Sequence, residues 1–192
     1  MVAGHQGDEA AARAALADPD GTVRAAALGA LARCDALGTD ELAAALGDPE
    51  RTVRRRATLV AATRDDVADE LMALLDDPDD AVVEVAAFAW GERTDGARAV
   101  ARLSVLATTH EDSLCREAAV AALGSIGDPA GAAAVLAGCE DKATVRRRAV
   151  LSLAAFEGPE ATAMLERLCG DRDLQVRQAA EDLLAIERGL DV

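Results

Sequence analysis

Histidine chemistry has few candidates in this sequence, because the 192 residues include only His5 and His110. His110 and Glu111 form a His-Glu pair. A helical zinc motif of the His-Glu-x-x-His type needs a second histidine one turn later, and that position is Leu114. We therefore interpret His110-Glu111 as part of a solvated loop and predict no metal site there.

The four cysteines do not form a metal-binding or redox motif. No pair has the two-residue spacing that such motifs require. Cys34 and Cys115 fall inside apolar helical stripes, where cysteine packs as a small hydrophobic residue. With no secretory signal and a low cysteine density, we expect reduced, structural thiols. The four are Cys34, Cys115, Cys139 and Cys169.

Other patterns that support catalysis are missing as well. The sequence contains no Ser-His-Asp or Cys-His arrangement and no glycine-rich phosphate loop. The stretch 65–84 holds nine acids and no base, but it lacks the spacing of a calcium loop. We interpret it as two loops and a solvated helix face. The sequence predicts no catalytic, cofactor-binding or metal-binding residues and no cofactor, so we expect a protein that is not an enzyme.

The charge argues against two classes of partner. Twenty basic and 35 acidic residues give a net charge of −15, which repels nucleic acids and anionic membranes. No signal peptide is recognisable, and no uncharged apolar run reaches the length of a membrane span. We expect a cytoplasmic protein that binds neither nucleic acid nor membrane. A single lysine, Lys142, among the basic residues suggests a high-GC genome, for which we expect a bacterial source, with a salt-adapted archaeon as the alternative.

A motif of about thirty residues recurs along the whole chain. Its clearest copies occupy 16–24, 46–54 and 75–83, and each contains an Asp-Pro turn followed four residues later by a valine. We call this valine and its equivalents the anchors. Their spacings are 30, 29, 33, 30 and 31 residues, and chance rarely preserves such a phase. The anchors are Val23, Val53, Val82, Cys115, Val145 and Val176.

Each repeat predicts two helices, A and B. Helix A ends near the proline, which removes a backbone donor and resists helix continuation. Helix B places apolar residues at the anchor and at four and eight residues beyond it, positions +4 and +8, on one face. An acid three residues before most anchors can cap helix B, whereas Lys142 breaks the pattern in repeat five. These acids are Asp20, Glu50, Asp79, Asp112 and Asp173.

The motif Asp-Pro-Asp-x-x-Val-Arg-x-x-Ala, and especially the run 116–129, resembles the short HEAT-like repeats of phycobilisome lyase subunits and many bacterial proteins. The resemblance implies an all-α fold, a right-handed α-solenoid of six two-helix repeats forming a single domain over 1–192. It also implies that the arginine after the anchor links neighbouring repeats through loop acids. These arginines are Arg24, Arg54, Arg116, Arg146 and Arg177.

Three enzyme families share related architectures, and the sequence lacks the marks of each. Deoxyhypusine hydroxylases carry repeated His-Glu pairs that hold two irons, whereas the matching position here reads Arg116-Glu117. DNA glycosylases of the HEAT-like class present a basic concave face, which the net charge of −15 disfavours. Phycobilisome lyases attach bilins, and nothing in the sequence marks a bilin site.

The face of helix B opposite the core carries positions +2, +6 and +9. Small residues at +9 predict a groove, in which exposed apolar residues beside arginines form a protein-binding patch. The alternative is that Leu59, Phe88 and Leu151 wedge between B helices. Trp90 falls at +8, and we expect it in the core. The predicted partner-binding residues are Arg55, Leu59, Glu84, Phe88, Arg147 and Leu151.

Two arginine triplets, 54–56 and 146–148, recur at one repeat position. They can meet a carboxylate or phosphate of a partner, or they can balance the loop acids. The hypothesis that follows from the whole sequence is a non-enzymatic scaffold or adaptor that binds a protein or peptide along the concave B-helix groove. The alternative is an accessory subunit of a lyase or cofactor-attachment enzyme.

Overall fold

The computed structural model describes residues 2–189, with side chains from residue 8 onward, and this part of the chain is helical without strands. Five short 3-10 turns accompany twelve α-helices. The helices are α1 (Val2–Ala15), α2 (Gly21–Arg33), α3 (Thr39–Leu46), α4 (Arg51–Ala61), α5 (Ala68–Ala73), α6 (Asp80–Glu92), α7 (Val100–Thr109), α8 (Ser113–Ile126), α9 (Ala132–Gly138), α10 (Ala143–Ser152), α11 (Pro159–Leu168) and α12 (Leu174–Glu187). Their order confirms six repeats of two helices, in which odd-numbered helices are A and even-numbered helices are B.

The helices group into two compact units, residues 1–89 and 90–192, and the division falls inside α6. In the first unit α2 packs on α1 and α4, and α3 packs on α4. In the second unit α8 packs on α7 and α10, and α12 packs on α10 and α11. Each B helix of these sets therefore contacts its own A helix and another B helix, which is how stacked helix pairs bury a continuous apolar core.

Loop acids cap four of the six B helices, including α6, where Asp79 accepts a hydrogen bond from the Ala81 N–H. The Asp20, Asp112 and Asp173 carboxylates accept hydrogen bonds from backbone N–H groups in the first turns of α2, α8 and α12. These bonds satisfy donors that a helix N-terminus leaves without partners. Glu50 and Lys142 precede α4 and α10 without a side-chain cap. The predicted exception at Lys142 is confirmed, and Glu50 is a second one.

The core lies where the anchor pattern predicts it, with one error. Val53, Val82, Cys115, Val145 and Val176 are at most 2% exposed. Every residue at +4 and +8 of the six B helices is also buried. Val23 is the exception at 38% exposed. It lies on α2, in the first repeat of the described chain.

Two further predictions about small residues are wrong. Cys34 does not pack in an apolar stripe, because α2 ends at Arg33 and leaves this thiol exposed. Position +9 is not a groove at Gly91 and Gly124 of the second unit. A Cβ on Gly91 would lie 2.9 Å from the Ala122 Cα, and one on Gly124 would lie 2.6 Å from the Ser152 Cβ. These glycines admit a neighbouring helix rather than a ligand.

No helix within residues 2–189 is long and apolar enough to cross a membrane.

Candidate partner-binding surface

The apolar residues at +6 stand in solvent rather than between helices. Leu59 is 41% exposed on α4, Phe88 is 51% exposed on α6, and Leu151 is 54% exposed on α10. The wedged arrangement is therefore excluded for all three. Leu59 and Phe88 occupy equivalent positions on consecutive B helices of the first unit, whereas Leu151 belongs to the second.

The charged residues assigned to this surface differ in their pairing. Arg55 is exposed, and no carboxylate among the described residues pairs with it. Glu84 is half-buried on α6. Arg147 instead binds Asp173, with 2.5 Å between its Nη2 and the carboxylate Oδ2. This hydrogen bond lowers the pKa of Asp173 to about 2, and the same carboxylate caps α12. Arg147 therefore serves the repeat stack.

The arginines that follow the anchors join successive repeats. Each of four donates through Nε and Nη2 to both oxygens of an aspartate in the next repeat, at distances of 2.6–3.0 Å. Each also donates through Nη1 to carbonyl oxygens of the loop before its own helix. Such planar, two-pronged pairing suits guanidinium better than ammonium. The pairs are Arg24–Asp48, Arg54–Asp77, Arg116–Asp141 and Arg146–Asp171.

Arg177 occupies the same position in the last repeat but has a smaller set of contacts. Its Nη1 donates to the Asp171 carbonyl oxygen at 2.7 Å, and no carboxylate within residues 8–189 pairs with it. Val83 takes the arginine position in the third repeat and is buried. The arginine after the anchor thus joins its repeat to an aspartate of the next one in four of the six repeats.

Trp90 lies in the core, as its phase predicts. The indole is fully buried, and the Arg93 guanidinium lies 5.0 Å from its ring centroid. Arg93 is held in turn by Asp95, with 2.6 Å between Nε and Oδ1. The indole Nε1 has no hydrogen-bond acceptor among the described residues. A buried cation over the ring stabilises this arrangement, and the indole is not available as a binding anchor.

The two arginine triplets differ in how many of their side chains pair with an acid. All of Arg146, Arg147 and Arg148 meet acids of their own unit: Asp171, Asp173 and, at 3.7 Å, Glu117. In the first unit only Arg54 of its triplet does so, through Asp77. Arg55 and Arg56 are exposed, and neither has a carboxylate partner in the described chain. Acids of the same unit, two in loops and Glu117 on α8, therefore account for the second triplet and not for the first.

A cleft in the first unit is lined by one of the small residues at +9, Ala32, and by arginines that are not among the predicted partner-binding residues. It has a volume of about 490 Å³ and lies between the ends of α2 and α4. The side chains of Arg33 and Arg56 project over Gly29. Leu59 and Val60 form an apolar wall of the cleft. The signal that points to it is Gly29 itself, since it stands at +6, where the second, third and fifth repeats carry leucine or phenylalanine.

The family model for HEAT repeats matches the chain over residues 9–90 and 68–144. The chain belongs to the HEAT repeat family. HEAT repeats stack into extended surfaces that suit the binding of protein segments. A search of the curated proteins found no match to this HEAT repeat chain.

Several solved structures are similar to the HEAT repeat chain. A crystal structure of an engineered protein has 22% identity and a TM-score of 0.68, covering 95% of this chain and 97% of that one. A designed armadillo repeat protein has 19% identity and a TM-score of 0.60, with 88% and 95% covered. The complex of CpcE and CpcF of phycocyanin lyase from Nostoc sp. PCC7120 has 23% identity and a TM-score of 0.63, with 90% and 74% covered. At these identities the likeness shows the repeat-solenoid fold alone.

Proposed function

We propose that this HEAT repeat chain is a non-enzymatic interaction scaffold, and that the B-helix surface of its first unit binds a segment of a partner protein. One observation carries the proposal. Leu59 and Phe88 are exposed at equivalent positions of consecutive B helices, and Arg55 beside Leu59 is exposed without an acid partner among the described residues. Aromatic residues and arginine are enriched at protein interfaces, and Phe88 and Arg55 supply both types on this surface.

The second unit supports this choice by contrast. Leu151 is exposed there as well, but the arginines around it are occupied by acids of the same unit. The cleft formed by Glu117, Thr144, Arg147, Arg148 and Leu151 has a volume of only about 180 Å³. We therefore assign the main contact to the first unit, to which Glu84 also belongs, and Arg147 and Leu151 remain predicted contacts on the second unit.

A pull-down from the native organism with mass spectrometry tests the proposal. The Leu59→Glu, Phe88→Glu variant removes both apolar residues and adds two negative charges. The matched control is Val105→Glu, Leu114→Glu, since these two residues are also exposed, at 58% and 54%. We expect a partner that the wild type and the control retain and the Leu59/Phe88 variant loses. A partner that all three folded proteins retain contradicts the assigned surface.

The alternative, an accessory subunit of a lyase or cofactor-attachment enzyme, makes a different prediction. Its support is the fold likeness to the CpcE and CpcF complex, which at 23% identity extends to the fold alone. A visible absorption band in the protein purified from its native source, or transfer of a chromophore to a co-purified protein, would favour this alternative. A colourless protein with a stable binding partner favours the scaffold.

A further inference from the structure

We infer that the cleft over Gly29 is a carboxylate-recognition site, which makes the partner segment acidic. The inference rests on the proposed function, because it names the chemistry of the segment that the scaffold binds. Its occupant is a peptide segment of a partner protein that places one or two acidic side chains between Arg33 and Arg56 and an apolar side chain against Leu59.

The geometry brings two guanidinium groups to one point. A Cβ on Gly29 would lie 3.5 Å from the Arg33 Nη1 and 3.5 Å from the Arg56 Nε. These two nitrogen atoms are therefore no more than 7.0 Å apart, the sum of those two distances. A carboxylate between them can accept a hydrogen bond from each arginine, one on each oxygen.

No internal acid neutralises this pair. Most arginines of the described chain bind a carboxylate, including those at the repeat junctions, but neither Arg33 nor Arg56 has such a partner within residues 8–189. Asp35 is the acid that lines the cleft, and its electrostatic interaction is with Arg64. Arg64 itself is bound by Asp66 and by the Leu37 carbonyl oxygen. Two adjacent cations without an anion are unusual in a chain of net charge −15.

The walls of the cleft favour a peptide over a nucleic acid. Leu37, Leu59 and Val60 line it beside the arginines, and aromatic platforms on which bases would stack are absent from its lining. The net charge of −15 repels a long polyanion at a distance. A short acidic segment engages the cleft within about 10 Å, where the local cations outweigh the screened charge of the rest of the surface.

Selection from a displayed random 16-residue peptide library on the purified protein tests the inference. We expect the retained peptides to be enriched in Asp and Glu next to Leu or Phe. A synthetic peptide from this selection should bind Arg33→Gln, Arg56→Gln at least about ten-fold more weakly than the wild type. The control, Arg172→Gln, Arg188→Gln, makes the same charge change at two exposed arginines and should bind with unchanged affinity.

A second variant tests the cleft without removing charge. Gly29→Leu installs the residue that the second and fifth repeats hold at this position, and the contacts it meets are the flexible ends of Arg33 and Arg56. It should fold normally and block the peptide. Retained peptides without acidic enrichment, equal binding to the Arg33/Arg56 variant, or tighter binding of a 20-nucleotide single-stranded DNA would each overturn the inference.

The outcomes separate this inference from the proposed function. Loss of the peptide in the Leu59/Phe88 variant but not in the Arg33/Arg56 variant supports the scaffold and overturns carboxylate recognition. Loss in the Arg33/Arg56 variant alone supports carboxylate recognition and moves the apolar contact away from Leu59. Self-association of the free protein that Arg33→Gln, Arg56→Gln abolishes would place the chain's own acids in the cleft and overturn the assignment to a separate partner.

Discussion

An arginine at one repeat position connects two repeats when an aspartate of the next loop lies within reach. Arg116 does this through both oxygens of Asp141 and also holds the carbonyl oxygens of His110 and Glu111. The two side chains of the pair are 12% and 19% exposed. Partial burial strengthens the pair, and it also makes an unpaired Asp141 costly.

Arg116→Leu should destabilise the protein by about 2–3 kcal/mol, because it removes the cation from a partly buried carboxylate, which keeps only the Lys142 N–H as a donor, and the guanidinium donor from two carbonyl oxygens; a fully buried pair would cost more. Arg177→Leu is the matched control, since Arg177 donates to a single carbonyl oxygen and to no carboxylate of the described chain. It should cost about 1 kcal/mol or less. Urea unfolding of both variants measures the difference, and equal costs would show that the aspartate contact contributes nothing.

The role of the anchor arginines could be predicted from the sequence, and Arg56 belongs to a triplet for which a partner's carboxylate was one of two predicted contacts, but Arg33 and the cleft could not be predicted, for a physical reason. The anchor arginine and its acceptor both recur with the repeat, so their pairing is visible in the period. Whether Arg33 and Arg56 have carboxylate partners depends on where the acids of other loops lie in space. The spacing of residues along the sequence does not give that information. The traces in the sequence are the arginine triplet 54–56 and the change from leucine or phenylalanine to Gly29 at +6.

Substitutions at the anchor positions of the B helices test the predicted repeat register. Val53 is 2% exposed on α4 and Val23 is 38% exposed on α2, although both are anchors. Val53→Asp should cost roughly 3–5 kcal/mol, because it buries a charge without a partner. Val23→Asp should cost about 1 kcal/mol, because water reaches the new carboxylate. Thermal melting compares them, and an unchanged melt of Val53→Asp would refute the register.

Close helix packing in the second unit makes a separate prediction. Gly124→Ala should destabilise α8 against α10 by about 1–3 kcal/mol, because the new Cβ overlaps Ser152. Gly47→Ala is the control, since its Cβ would meet only a backbone oxygen at 3.8 Å. Differential scanning calorimetry measures the thermal stability of both variants. A Gly124→Ala protein as stable as the wild type would show that the two helices separate easily.

The prediction of a groove at +9 fails at Gly91 and Gly124, whereas Ala32 at the same position lines the cleft of the first unit. A small residue leaves space, and the sequence does not say whether a ligand or a neighbouring helix fills it. At Gly91 and Gly124 the neighbouring helix does so. The prediction for Val23 failed for a related reason, since the periodic pattern is the same whether or not a neighbouring helix covers the anchor, and Val23 is exposed.

For the whole molecule, acid should weaken the connections between repeats. The hydrogen bonds from Arg116 lower the pKa of Asp141 below its unfolded value of about 3.9. At Asp171, burial alone would raise the pKa, but the hydrogen bonds from Arg146 and the backbone outweigh it and lower the pKa. A folded pKa below the unfolded one means that this stability is fully present above about pH 4 and is lost as the pH falls through the folded values.

The free energy of unfolding should therefore be nearly constant from about pH 7 to 5 and fall steeply below about pH 4. Asp141→Asn should be less stable at neutral pH. Its free energy of unfolding should fall less steeply in acid, because the variant has lost one carboxylate whose protonation weakens the fold. Glu160→Gln, at an exposed carboxylate with no ion pair among the described residues, should keep the wild-type slope. Chemical denaturation at a series of pH values measures these slopes, and parallel slopes for all three proteins would contradict the linkage.

The arginine–aspartate connection has a consequence for how such a chain grows. A typical repeat carries both halves of the connection, an aspartate in its loop and an arginine on its B helix, as the second does with Asp48 and Arg54. A gene duplication that copies such a repeat therefore delivers a segment already able to join neighbours on both sides. The third repeat, with Asp77 but Val83 in place of arginine, has lost the second half, so its duplicates would not inherit this means of extending the array.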